Sequence, residues 1–235
     1  HGTVTLVSDG QGFEVTTFRK DIETDGRRAV VAFSTQLAED AKRRDFTMNA
    51  LYVAADGTIA DPLDGLSDIA ARRVRFIESA QDRIREDYLR ILRFFRFHAW
   101  FGDPEAGIEP EALAACAELA DGLETLSKER IGAEMCKLLA APDPAPALAS
   151  MAMSGVLARI LPGASATGIA PIVHYEGEAG FAPDWLRRLA ALGGEDPAAN
   201  LRLSKVSQRR LDLLIEAIGH HVGLAELAYR HGAEM

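Results

Sequence analysis

The apolar pattern of this chain changes period once, near Ser79, and that change limits what the chain can fold into. Before it, short strand-like runs at about 3–7, 13–18, 29–33 and 49–54 alternate with turn residues. Asp56-Gly57-Thr58 has the chemistry of a hairpin turn. One short helical piece at 36–43 interrupts the strands, with Ser34 or Thr35 placed to cap it. Beyond Ser79, apolar residues recur at helical spacing over 81–101, 110–120, 128–140, 144–154, 183–192 and 207–229. Loops such as "PGASATGIAP" separate those helices. Strands and helices are thus segregated along the chain, which predicts an α+β fold: a strand-containing head followed by an all-helical remainder.

The chain opens at His1, and "HGTVTLV" already reads as a strand. A domain rarely begins inside a sheet with no preceding cap, so the expectation is a fragment whose first strands are missing. With 235 residues and 48% hydrophobic content, it can still build one large core or two smaller ones. No apolar run approaches the ~18–20 residues of a membrane span, and no signal peptide is visible. The two cysteines, Cys116 and Cys136, lack metal-ligand spacing and read as thiols of a reducing compartment. A cytoplasmic protein that does not engage a membrane is expected.

The net charge of −9 argues against a broad nucleic-acid face. Its distribution is more informative, because eight arginines and only four acids lie between Arg72 and Arg96. Such a strip suits a bound triphosphate or a modest RNA contact. Its densest part is "RIREDYLRILRFFRF", from Arg83 to Phe97. On one helix, at about 100° per residue, Arg83, Glu86, Asp87, Arg90 and Arg93 fall within roughly a third of the circumference. Ile84, Tyr88, Ile91, Leu92 and Phe95 then make a neighbouring core stripe. Asp87 and Arg90, three apart, would point the same way and offer an acceptor beside a donor. The same spacing also fits an intrahelical ion-pair ladder, each pair contributing about 0.2–0.5 kcal/mol.

Three motifs in order decide between these readings: "LAEDAKRRDFTMNALYV", "DPLDGLSDI" and "REDYLRILRFFRF". Together they resemble the class II tRNA nucleotidyltransferase and bacterial poly(A) polymerase family, template-independent relatives of DNA polymerase beta. The resemblance runs from His1 to Gly102 and continues more weakly in "LSKERIGAEMCKLL" and "SGVLARILP". It implies an incomplete polymerase-beta-like head with a mixed sheet at 1–77, a helical neck carrying the base-reading helix at 78–140, and a helical body at 141–235.

The activity implied is addition of CMP and AMP, from CTP and ATP, to the 3′ end of tRNA. The resemblance places Arg44 and Asp45 at the ribose and its 2′-hydroxyl, supported by Asn49. It makes Asp87 and Arg90 the readers of the Watson–Crick edge. Cytosine and adenine present an amino donor beside a ring acceptor, while guanine and uracil present the reverse polarity. An unpaired buried group costs about 1–3 kcal/mol. Arg93 and Arg96 become further nucleotide-pocket arginines; Arg93 fits the helical stripe, whereas Arg96 rests on the resemblance alone. Arg83 either contacts phosphate or pairs with Asp87.

Phosphoryl transfer in the family needs Mg2+ held by an Asp-x-Asp pair after a Gly-rich turn. No Asp-x-Asp occurs in these residues, so the chain alone is expected to be inactive. Glu14 is either a third carboxylate beside that pair or a strand acid facing solvent or Arg19. Ser127 to Arg130 reads as a helix cap with a charged first turn, which in the family braces the neck. Trp100 and Phe101 are expected to anchor the end of the nucleotide helix in the core. His220, His221 and His231 read as surface residues. Arg202, Lys205, Arg209 and Arg210 either touch tRNA or form a solvated face. Poly(A) synthesis, or nucleotide and RNA binding without catalysis, are the alternatives.

Overall fold

The computed structural model describes residues 3–25 and 28–218. Its strands form three antiparallel hairpins. β1 (Thr3–Ser8) pairs with β2 (Gln11–Thr16), β3 (Arg19–Asp25) with β4 (Arg28–Phe33), and β5 (Tyr52–Val53) with β6 (Ile59–Ala60). The last turn is the Asp56-Gly57-Thr58 hairpin: Gly57 has φ +85°, and the Thr58 amide donates to the Asp56 carboxylate at 2.9 Å. Both faces of the β1–β2 hairpin are exposed, Val4, Leu6, Phe13 and Val15 included. Between β4 and β5 run α1 (Leu37–Lys42) and a 3₁₀ turn at Thr47–Asn49. The α1 N-cap is Gln36, with no side-chain cap. Ser34 instead accepts from the Gln36 amide at 2.9 Å and donates to Glu39.

Helices then follow to the end of the described chain: α2 (Gly65–Ala70), α3 (Ala80–Glu86), α4 (Leu89–Phe101), α5 (Pro110–Glu118), α6 (Lys128–Leu139), α7 (Ala145–Met153) and α8 (Val156–Ile160). After them come α9 (Ile169–Glu178), α10 (Trp185–Leu192), α11 (Pro197–Asn200) and α12 (Lys205–Ala217). The strand-then-helix segregation is as expected. Several boundaries are set by side-chain caps. Glu109 accepts from the amides of Glu111 and Ala112 ahead of α5, and Asp184 from those of Leu186 and Arg187 ahead of α10. The expected helix over 207–229 begins at Lys205, and its part beyond residue 218 lies outside the described residues, as do His220, His221 and His231.

The core is built around α4. Ile91, Leu92, Phe94 and Phe95 are fully buried and pack against α6 and α7. Glycine permits one close approach there: a Cβ on Gly132 of α6 would lie 2.0 Å from the Leu201 carbonyl oxygen. Arg188 is buried between α6 and α10. Its guanidinium donates to the Leu139 carbonyl at 2.6 Å, to the Ala141 carbonyl at 2.5 Å and to Glu176 at 2.9 Å. The arginine thereby satisfies carbonyls that the end of α6 leaves without helical partners.

Candidate nucleotide site

The site begins where α1 ends. The chain turns through residues 43–45, and the extended Phe46 bridges to Phe76: the Thr47 amide donates to the Arg75 carbonyl at 3.1 Å, and the Ile77 amide to the Asp45 carbonyl at 3.0 Å. Phe46, fully buried, locks this crossing against Phe76 and Phe97, with ring centroids 4.9 and 4.8 Å away. The adjacent side chains therefore have fixed directions. Asp45, only 4% exposed, accepts from Arg93 Nε at 2.5 Å, Asn49 Nδ2 at 2.9 Å and the Phe46 amide at 3.0 Å. One motif from the head and one from α4 are thus joined by an ion pair spanning 48 residues.

Arg44 points away from Asp45 and is equally fixed. It donates to the Tyr52 hydroxyl at 3.1 Å, the Asn49 carbonyl at 3.0 Å and Asp40 at 3.3 Å, with its guanidinium 4.9 Å from the Tyr52 ring centre. The Tyr52 hydroxyl in turn donates to Asp40 at 2.8 Å. Burial, then the hydrogen bond to Asp40, pushes the Tyr52 pKa up to about 12. Asn49 is the common member, its backbone bonded to Arg44 and its side chain to Asp45.

The expected single helix over 81–101 is broken. Asp87 is extended, at φ −156° and ψ 106°, between α3 and α4. Its Oδ1 accepts from the Leu89 amide at 3.1 Å, a cap that opens the second helix, and its Oδ2 accepts from Arg130 at 2.7 Å. Aspartate is a favourable cap and a poor interior helix residue, so the chain stops and restarts here. The helical wheel therefore misplaces Asp87 relative to Arg90. Arg90 instead donates to Glu86 at 2.5 Å and to the carbonyls of Arg83 and Arg43 at 2.8 and 2.9 Å. Arg83 pairs with Glu86, not with Asp87, and its guanidinium also holds the Lys42 carbonyl at 2.8 Å.

Arg96 turns toward α6, where Glu134 accepts from its Nε at 2.6 Å, and it stacks over Phe97 with 4.7 Å to the ring centre. One helix, α6, thus supplies both Arg130 for Asp87 and Glu134 for Arg96. The sequence signal for Glu134 is an acid inside an apolar helical stripe, because a buried carboxylate requires a partner. Trp100 and Phe101 are not in the core as expected: they are 40% and 48% exposed.

A further residue escaped the sequence reading although its motif was singled out. Asp68 is fully buried and accepts from Thr47 Oγ1 at 2.5 Å, Arg73 Nε at 2.7 Å and Arg75 Nε at 2.9 Å. Gly65 brings α2 against the same turn, since a Cβ there would meet the Thr47 carbonyl oxygen at 2.3 Å. Burial acts to raise the Asp68 pKa, but the bonds from Thr47, Arg75 and Arg73 outweigh it, and the net shift is downward.

Glu14 lies on the exposed β1–β2 hairpin opposite Thr5, and no hydrogen bond or ion pair engages it among the described residues. No group of three or more His, Cys, Asp or Glu side chains is placed to hold a metal ion among the described residues. In the basic tail cluster, Arg202 pairs with Glu129 at 3.3 Å and Arg210 pairs with Asp184. No helix among the described residues is long and apolar enough to cross a membrane.

Comparison with known proteins places the chain in a family. Residues 1–75 match the poly A polymerase head domain, and residues 107–167 match a probable RNA and SrmB-binding site of polymerase A. The chain is 39% identical over 220 residues to a CCA-adding enzyme of Leuconostoc citreum, covering 93% of the chain and 50% of that protein. It is 47% identical over 139 residues to human mitochondrial CCA tRNA nucleotidyltransferase 1, covering 59% of the chain and 32% of that protein. The crystal structure of the Bacillus stearothermophilus CCA-adding enzyme in complex with CTP superposes with a TM-score of 0.71 at 35% identity, over 92% of this chain and 54% of that one. The chain therefore spans between about a third and a half of the length of these relatives.

Proposed function

The chain belongs to the class II tRNA nucleotidyltransferase and poly(A) polymerase family, and from that premise we propose that it serves template-independent addition of CMP and AMP to the 3′ end of tRNA, with CTP and ATP as substrates. The observation that carries the reading is the bonded network at the head–neck junction. Asp45, Asn49 and Arg93 form one polar cluster, and Arg90 ties the Arg43 carbonyl to the helix break at Asp87. That network gives a nucleotide fixed partners on both sides of the junction. Asp87 keeps accepting capacity: each of its oxygens holds one donor and has room for a second. An amino group of cytosine or adenine supplies the missing donor, and Arg90, three residues on across the helix break, keeps guanidinium hydrogens beyond those given to Glu86 and to the Arg83 and Arg43 carbonyls for the ring acceptor.

The names of the relatives favour CCA addition over poly(A) synthesis. In this reading a divalent ion such as Mg2+ would supply charge neutralisation at the pyrophosphate leaving group. The described residues assemble no carboxylate cluster to hold it, and no step through a metal is assigned to them. A cytoplasmic location belongs to the same proposal. Cys116 and Cys136 are unpaired, and burial pushes the Cys136 thiol up to about 11, which keeps it inert.

Competition binding tests the reading. Labelled CTP held by the 235-residue chain should be displaced by ATP and far less by UTP or GTP. Equal displacement by all four would contradict a base-reading pocket. The same chain should incorporate no labelled CMP into tRNA lacking CCA, even at high magnesium. Robust incorporation would place a metal site within these residues.

Sugar selection is a separate prediction. Asp45 Oδ1 already holds two donors and Oδ2 one, so a single acceptor position is left for a 2′-hydroxyl. Asp45→Ala should narrow the preference for CTP over dCTP about tenfold, the equivalent of about 1.5 kcal/mol for a hydrogen bond to a charged group. An unchanged ratio of dissociation constants would remove Asp45 from the ribose.

A further inference from the structure

The outer half of α4, with α2 and the Thr47–Asn49 turn, lines a half-open cavity of about 590 Å³. Its volume is within the range of small-ligand pockets. Two features of its wall have no role in the network described above. Trp100 has its indole N–H bonded to the Lys137 carbonyl at 2.8 Å, yet the side chain is still exposed beside Phe101. A pinned, exposed aromatic surface can accept a planar ring with little further loss of freedom. Arg72 lines the same cavity. Its backbone sits at φ +49°, a left-handed conformation that a long side chain rarely adopts, held by the bond from the Asp103 amide to its carbonyl at 3.0 Å. Its guanidinium has no hydrogen bond or ion pair among the described residues. The other cation of the wall, Arg96, is offset by Glu134. The cavity therefore joins one uncompensated positive charge to a fixed aromatic shelf, the combination that binds a base together with its phosphate.

We propose that this cavity is a second nucleotide subsite, in which a base stacks on Trp100 while Arg72 holds its phosphate, and that it takes the terminal nucleotide of an RNA strand. The choice of a nucleotide rests on the function proposed above, whereas the charge and the shelf do not. The cavity shares Asn49 and Arg96 with the residues placed around the incoming nucleotide, so its occupant lies beside that nucleotide, while Trp100 and Arg72 bond to none of Asp45, Asp87 or Arg90.

Trp100 itself reports occupancy once Trp185, the second of two tryptophans, is changed to phenylalanine. An oligoribonucleotide ending in cytidine should quench its fluorescence. Inorganic tripolyphosphate should compete for the site without quenching. Arg72→Gly removes the guanidinium and relaxes the left-handed backbone, so it should melt no lower than the parent while binding the oligoribonucleotide at least tenfold more weakly. Arg72→Lys should recover part of the loss. Asp87→Ala should leave the quenching unchanged while altering nucleotide choice, which separates failure of this subsite from failure of the base-reading site. No quenching by the oligoribonucleotide, or equal affinity in Arg72→Gly, overturns the proposal. Quenching by free CTP that Asp87→Ala abolishes also overturns it and gives the cavity to the incoming nucleotide.

Discussion

Asp68→Ala is expected to destabilise the chain by about 3 kcal/mol, at the low end of the range for breaking a buried charged group away from its partners. The side chain is fully buried and accepts three hydrogen bonds, two of them from arginines. The cost stays at the low end because the Arg73 and Arg75 side chains are 52% and 43% exposed, so water can take over their donors. For a chain of this size the midpoint of thermal unfolding should fall by about 6–12 °C. Asp68→Asn, which keeps one acceptor oxygen but turns the other into an amide donor and removes the charge, should lose less.

The pH dependence has a definite sign. The folded pKa of Asp68 is depressed, so its contribution is fully present above the unfolded value near about 4 and is lost as pH falls through the folded value. Below that range the wild type and Asp68→Ala should converge in stability. A parallel offset down to low pH would show that the acid acts through packing and not through its charge. Because Thr47 opens the turn that carries Asn49, the variant should also loosen nucleotide binding.

The order of strands and helices was legible in the sequence, and so were the residues that the structure bonds into one cluster, Asp45, Asn49 and Arg93, because period, caps and motif spacing are local properties. The sequence did not reveal who bonds to whom. A spacing of three pairs Arg90 with Asp87, but its partners are the carboxylate four residues back and two carbonyls, one of them 47 residues away. Neither glycine nor proline marks the break at Asp87; the only local clue is the capping ability of aspartate. Helix α9 was missed because Gly168 and Pro171 read as loop punctuation, although proline is tolerated in the first turn, where its missing N–H costs nothing. Trp100 was placed in the core on its size, but it caps the edge of a cavity through a single polar bond. Arg188 carries no sequence signal, since its role depends on carbonyls more than forty residues distant.

The second large effect concerns base choice. Asp87→Ala removes the carboxylate that repels the carbonyl oxygens of uracil and guanine, so UTP and GTP should gain affinity while CTP and ATP lose it. The fold should survive, because the losses are one helix cap, about 1 kcal/mol, and one half-exposed ion pair to Arg130 worth less than that. Arg90→Ala should weaken CTP and ATP together by about 1.5–3 kcal/mol, the range for hydrogen bonds that involve a charge. Glu86 keeps Arg83 as a partner in that variant, which limits the collateral damage. The double variant should lose less than the sum of the single ones, as groups acting on one ligand are non-additive.

In the proposed site Asp87 and Arg90 read the base as one pocket for cytosine and adenine. Dissociation constants of all four nucleotides for the wild type and for folded Asp87→Ala, measured beside the melting temperature, test it most directly. The wild type should prefer CTP and ATP, and in the variant, only slightly less stable, that preference should collapse. A variant that is destabilised by the same small amount but discriminates as the wild type does would contradict that reading, and would leave Asp87 as a helix cap paired with Arg130.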